Sequence, residues 1–109
     1  MKRQNDRLYG AIGLAKKAGA LKSGDFATEK LLRGGKAKLV LMDASASDNT
    51  RRRYTGMCER QGVPLMELPA LGGAIGDASR MLAAVVDDNF MRMIVRAAED
   101  GDADKDMRG

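Results

Sequence analysis

The sequence predicts an α/β chain: a three-layer α/β/α sandwich around a small four-stranded sheet, mixed and largely parallel. Three observations carry that expectation. Short, wholly apolar runs (LVLM within Lys38 to Met42, LAAVV from Leu82 to Val86) have the composition of strands covered on both faces. The longer segments between them place apolar residues at helical spacing. The connections are short and marked by glycine, so helix and strand alternate along the chain.

Taken in order, Asp6 to Ala18 carries Leu8, Ile12 and Ala15 on one helical stripe, and Gly19 stops it. Ala20 to Lys22 is a short extended piece. Gly24 or Asp25 opens a helix that runs to Arg33 and closes at Gly34 and Gly35. Lys38 to Met42 is the first fully apolar strand. Ser47 to Gln61 forms a third helix, with Tyr54, Met57 and Cys58 on its inner stripe and Gly62 at its end. Val63 to Glu67 is a strand, Leu71 to Gly76 a short helix, Leu82 to Val86 a strand and Asn89 to Ala98 the last helix. No repeat or linker divides the chain. Residues 1–98 are read as one domain and 99–109 as an acidic, flexible, solvated tail.

Composition excludes several functions. A chain of 109 residues, 44% of them hydrophobic, supports one core without disulfides or metals. The only aromatics are Tyr9, Phe26, Tyr54 and Phe90, so that core is aliphatic. Cys58 stands alone and there is no histidine, which removes disulfide frameworks, His general bases and the usual zinc sites. No apolar run approaches the roughly 20 residues of a membrane span, and Met1 to Gly10 lacks a signal peptide's apolar segment. The expectation is a cytoplasmic protein with no membrane partner. The net charge of +4 understates the basic balance, because residues 1–98 hold 17 Lys and Arg against 10 Asp and Glu. Such an excess suits a polyanionic partner.

The most informative stretch is SGDFATEKLLRGGKAKLVL, from Ser23 to Leu41. The start of its helix offers unpaired N–H groups to a phosphate, and Lys30 adds a point charge. At about 100° per residue, Phe26, Lys30 and Arg33 share one face, while Ala27 and Leu31 face the core. In Ala46 to Thr50, Ser47 or Asp48 is placed to cap a helix, and Asn49 and Thr50 can hydrogen-bond to phosphate or sugar. Arg51, Arg52 and Arg53 follow at once. They are either a solvated face or a phosphate-contacting cluster, and their conflict with the helix dipole favours the cluster.

Other candidates are structural. Gly72 to Gly76 lacks the Gly-x-Gly spacing and the Lys-Ser/Thr pair of a phosphate loop, so tight helix packing explains its glycines. Cys58 reads as a buried thiol. Asp43, Asp87 and Asp88 sit near strand ends, where they cap helices. No catalytic residue, metal site, cofactor or small-molecule substrate is assigned.

The ordered set LYGAIGLAKKAGALKSG, KAKLVLMDASASDNTRRR, Cys58, GVPL, LGGAIG and AAVVDDNF resembles the kink-turn-binding ribosomal-protein family, of the large-subunit seven-Ae and thirty-e types, in its small bacterial YlxQ-type branch. The resemblance spans about Leu8 to Val95. It implies a four-stranded α/β/α sandwich that binds sharply bent RNA, often beside sheared G·A pairs, in ribosomes or other ribonucleoproteins. Gly24 and Lys30 match the family's helix-opening motif, with Asp25 and Phe26 inside it. Archaeal members carry Asn and Glu, which read base edges, at the positions of Phe26 and Ala27. Phe26 is therefore a stacking surface for an unpaired base, a capping hydrophobe, or a sign that strict kink-turn recognition is lost. Arg33 and Lys36 join Lys30 and the arginines as phosphate contacts. Leu68, Pro69, Ala70 and Leu71 occupy a loop that in the family closes over an extruded base. The implied function is non-catalytic binding of kinked or structured RNA by a monomer, with ribosomal RNA among the candidates. The alternative is a protein-interaction module on the same fold that has lost specific RNA recognition, consistent with Met91 and Met93 in the terminal helix.

Overall fold

The computed structural model describes the backbone of residues 2–108 and the side chains of residues 6–100. Along the chain come α1 (Lys2–Lys17), β1 (Leu21–Ser23), α2 (Asp25–Arg33), β2 (Leu39–Asp43), α3 (Asp48–Gln61), β3 (Leu65–Leu68), α4 (Leu71–Ile75), β4 (Leu82–Val85) and α5 (Asp88–Arg108). The strands form one sheet in the order β1-β4-β2-β3. β2 and β3 pair in parallel, with Asp43 opposite Leu68, whereas β4 lies antiparallel to both β1 and β2.

The sheet is mixed, as expected, but it is not largely parallel: only the β2–β3 pair is. The three strands β1, β2 and β3 do run the same way, and β4 is inserted between β1 and β2 against them. The 69–81 connection, with α4 inside it, stays at one end of the sheet, so β4 starts at the end where β3 finishes.

Both faces of the sheet are covered, because side chains alternate along the fully buried β2. Leu39 and Leu41 pack with Ile12 of α1, Leu71 and Ile75 of α4 and Ile94 of α5. Val40 and Met42 pack on the other side with Leu32 of α2 and Tyr54, Met57 and Cys58 of α3. Each fully buried aliphatic side chain contributes about 1.5–3 kcal/mol relative to exposure. Cys58 sits in that second cluster, and burial pushes its thiol up from its ordinary value.

Element bounds shift by a few residues, α1 beginning at Lys2 and β3 running from Leu65 to Leu68, and two differences matter more. The inward stripe of α2 is Thr28 and Leu32, with Ala27 and Leu31 only half-buried, a one-residue rotation that turns Glu29 toward α3. The last helix does not end at Ala98. α5 runs to Arg108, so the acidic composition from Glu99 onward falls within it, and Asp100 pairs with Arg7 of α1 at 3.1 Å. The side chains of 101–109 lie outside the described residues.

The loop from α4 to β4 is pressed onto its helix. A Cβ on Gly72 would lie 2.6 Å from the Asp77 carbonyl oxygen and 2.8 Å from Ala78 Cα, while one on Gly73 would meet nothing within 4 Å. The expectation of tight packing thus holds at Gly72. Gly72→Ala is expected to cost about 1–3 kcal/mol, because backbone on both sides must shift. Gly73→Ala, with open space and better helix propensity, is expected to be neutral or stabilising by up to about 1 kcal/mol. Urea unfolding midpoints of the two variants check this pair.

Candidate nucleic-acid interface

The direction of the strands brings separate parts of the sequence to one edge. Ser23, Asp43 and Leu68 end β1, β2 and β3 there, and Leu82 begins β4 at the same edge. A groove of about 350 Å³ joins Gly24 and Asp25 to Ala46, Thr50 and Arg80. A neighbouring hollow of about 440 Å³ joins Asp43, Pro69 and Ala70 to the same Arg80. The helix-opening motif, the start of α3 and the β3–α4 turn, expected as three patches, therefore meet around the 77–81 loop.

Gly24 makes the turn from β1 into α2. Its φ of 106° lies in a region that suits only glycine. Its N–H donates to the Leu82 carbonyl at 2.8 Å, and its own carbonyl accepts from the Thr28 N–H at 3.0 Å. With glycine at the cap there is no side-chain acceptor for the first N–H groups of α2. On the outer face Phe26 is 81% exposed, leaving its ring to solvent instead of packing it on the helix end. Lys30 and Arg33 share that exposed face, as the helical spacing predicts, and Lys36 is exposed just beyond. Arg33 is bonded to Glu29 at 2.8 Å and holds its carboxyl below the ordinary range.

At α3, Ser47 is the cap, its hydroxyl oxygen accepting from the Thr50 N–H at 3.1 Å. Asn49 is exposed, and the Thr50 hydroxyl accepts from Ser47 Oγ at 3.1 Å. The three arginines do not form a cluster. Arg51 donates to the carbonyls of Ala44 at 3.0 Å and Ala46 at 3.2 Å and is ion-paired with Glu67. Arg53 donates to both Asp25 carboxylate oxygens, at 3.0 and 2.9 Å, and to Glu29 at 2.8 Å. Only Arg52 is exposed with no ion pair among the described residues. The conflict of this arginine run with the helix dipole is thus met by the protein's own carboxylates and carbonyls.

Tyr54 completes the arrangement. Its ring is fully buried with the Arg53 guanidinium 4.8 Å above it, and its hydroxyl reaches the Asp25 carboxylate at 2.5 Å. Burial, and next the bond to Asp25, push the phenol well above its ordinary range.

The β3–α4 turn departs further from expectation. Leu68 and Leu71 are buried in the core, so their side chains pack the fold and are not presented to a partner; Pro69 and Ala70 are exposed. Ala70 has φ 55°, the one positive value at a non-glycine among the described residues. The turn is held from both sides. The Tyr9 hydroxyl donates to the Pro69 carbonyl, and Asp43 accepts from the Leu71 N–H at 2.7 Å. Asp43 also accepts from the Ser45 N–H at 2.9 Å and the Ser45 hydroxyl at 2.5 Å. Asp43 therefore caps α4, and Asp87 caps α5 by accepting from the Phe90 N–H at 2.9 Å. Asp88, in the first turn of α5, faces Lys38 at 3.9 Å instead.

Arg80 was not among the expected residues. It is exposed, paired with Asp77 at 3.1 Å, and its guanidinium lies 2.8 Å from where a Cβ on Gly24 would sit. The local signal was a lone arginine in a Gly-Asp-Ala-Ser-Arg loop. Its approach to α2 follows from β4 lying beside β1, which local patterns do not show.

Asp43 supports a pH prediction. The Ser45 hydroxyl, opposed by burial and helped by the Ser45 and Leu71 N–H groups, holds its carboxyl below the ordinary range. A depressed folded value means the stabilisation is fully present above the unfolded value of about 3.9. It is lost as pH falls through the folded value. Asp43→Asn is expected to cost about 1–3 kcal/mol at neutral pH. That deficit should narrow below about pH 4, measured by urea unfolding of both proteins across the range.

The family model described as "Ribosomal protein L7Ae/L30e/S12e/Gadd45 family" matches residues 6–95. The RNA-binding protein YlxQ of Bacillus subtilis (strain 168) is 34% identical over 87 residues, spanning 77% of this chain and 87% of that protein. Among solved structures, a protein of unknown function from Bacillus halodurans superposes with a TM-score of 0.80 at 25% identity, over 85% of this chain and 97% of the other. The Giardia lamblia 15.5kD RNA binding protein superposes with a TM-score of 0.72 at 22% identity, over 93% and 89%, a likeness of fold.

Proposed function

This chain belongs to the ribosomal protein L7Ae/L30e/S12e/Gadd45 family, the family its sequence resembles, and from that premise we propose that it is a non-catalytic RNA-binding protein that selects kinked, structured RNA. The observation that carries this reading is the start of α2, an uncapped helix end with Phe26 exposed beside Lys30 and with Arg80 drawn up against Gly24. Helix-terminal N–H groups and cations suit phosphate oxygens, and an exposed aromatic suits the face of an unpaired base. Lys30, Arg52 and Arg80 are the cations best placed to meet the backbone, with Pro69 and Ala70 as an exposed apolar edge. Shape is selected first: a bent RNA can follow α2, the 77–81 loop and the β3–α4 turn, which share one end of the sheet. Association with ribosomal RNA or another ribonucleoprotein in the cytoplasm follows from the same reading.

A second reading, a protein-interaction module, draws on the groove between α1 and α5 where Leu14 and Met93 are exposed. It predicts no preference among RNAs. The test is titration against a kink-turn RNA and an uninterrupted duplex of equal length at several salt concentrations. We expect at least about tenfold tighter binding of the kinked RNA; equal affinities with equal salt slopes overturn the proposal. Lys30→Ala should weaken binding to both RNAs and lower the salt slope by about 0.7–0.9. Phe26→Ala should cost about 1–3 kcal/mol on the kinked RNA only, and Phe26→Trp should retain it.

A further inference from the structure

We propose that Arg53 serves RNA binding without touching RNA: it draws the Asp25 carboxylate toward α3 and off the N–H groups that open α2. The proposal rests on the functional reading above and names the residue that makes that helix start usable.

Asp25 is the acid in the first turn of α2, and Gly24 before it offers no side chain. A carboxylate there is drawn to the helix's own N-terminal N–H groups by the dipole. It would then occupy the position a phosphate needs and repel the phosphate as well. The structure turns it the other way. Arg53 Nη2 donates to both Asp25 oxygens at 3.0 and 2.9 Å, and the Tyr54 hydroxyl adds a bond at 2.5 Å. Arg53 Nη1 holds Glu29 at 2.8 Å, and Glu29 in turn holds Arg33 at 2.8 Å. Two acids and two arginines thus close into a neutral set between α2 and α3. Arg53 has both terminal nitrogens committed to carboxylates and one face over Tyr54, so it has little left to offer a phosphate. Glu29 keeps Arg33 when Arg53 is removed, so the effect of Arg53 on RNA runs through Asp25.

A double-mutant cycle read as RNA affinity tests this, using the kink-turn RNA at one fixed salt concentration. Arg53→Ala is expected to weaken binding by about 5- to 20-fold in the wild-type background. In the Asp25→Asn background the same change should have less than about a twofold effect. The same loss in both backgrounds would identify Arg53 as a direct phosphate contact and overturn the proposal. So would no loss in either. Tyr54→Phe gives an independent reading, since it removes one hold on Asp25, changes no charge, and alters a side chain too buried to reach RNA. It should weaken binding by about two- to threefold with Asp25 present and not at all with Asn at that position. This variant decides the matter if Arg53→Ala does not fold, as checked by circular dichroism. Wild-type protein that binds neither RNA overturns both readings. Binding without preference for the kink overturns only the earlier one, because the cycle then runs on the duplex.

Discussion

The reversed entry of β4 into the sheet decides which loops share one end of it. After Leu68 the chain passes through α4 and the 77–81 loop without crossing the sheet, and β4 runs against its neighbours. The 77–81 loop is thereby left at the edge where β1, β2 and β3 end. Gly72 is the local condition for this arrangement, because only a residue without Cβ lets the backbone at Asp77 and Ala78 cross the helix so closely. Asp43 is the complementary condition from below, tying the end of β2 to the first N–H of α4. The edge is built by backbone constraints, and the side chains that project from it inherit their positions.

Much of this was legible in the sequence, and the failures have physical causes. Apolar runs and glycine stops located each strand and helix because burial on both faces and αL termination leave local marks: Gly62 ends α3 with φ 69°. The extent of antiparallel pairing leaves no local mark, because an apolar run does not give the direction of its strand. Within α2 the exposed face of Phe26, Lys30 and Arg33 followed from the 100° period, while the buried stripe was off by one residue. Periodicity alone does not distinguish Ala27 from Thr28 as the inward position when the partner helix supplies an arginine for Glu29.

The site residues separate along a similar line. Phe26 and Lys30 are local features of one helix, and spacing was enough to place them. The arginine run of 51–53 was not, because whether an arginine is available depends on what lies across from it. Glu67 and two carbonyls take Arg51, Asp25 and Glu29 take Arg53, and each partner is distant in sequence. Leu68 and Leu71 were misread for the same reason: an apolar turn and an apolar core look alike until the neighbouring layers are known. Arg80 is the converse case, an unremarked loop residue brought to the start of α2 by sheet order.

These separations change what the positive charge means. A count over residues 1–98 treats all its cations as equal, yet an arginine bonded bidentately to a carboxylate cancels that charge and is restrained in direction. On the proposed interface Lys30 and Arg52 carry the field that a phosphate meets, while Arg80 shares its charge with Asp77. Arg51 and Arg53 instead determine the shape of the surface and the sign of its neighbours. The acids of α2 are then not contradictions in a basic interface. Neutralised from behind, Asp25 and Glu29 bind α2 to α3 and fix the direction in which Phe26 and Lys30 project. An ion pair of this kind adds little to stability at a surface, so its value here lies in where it directs the remaining charge.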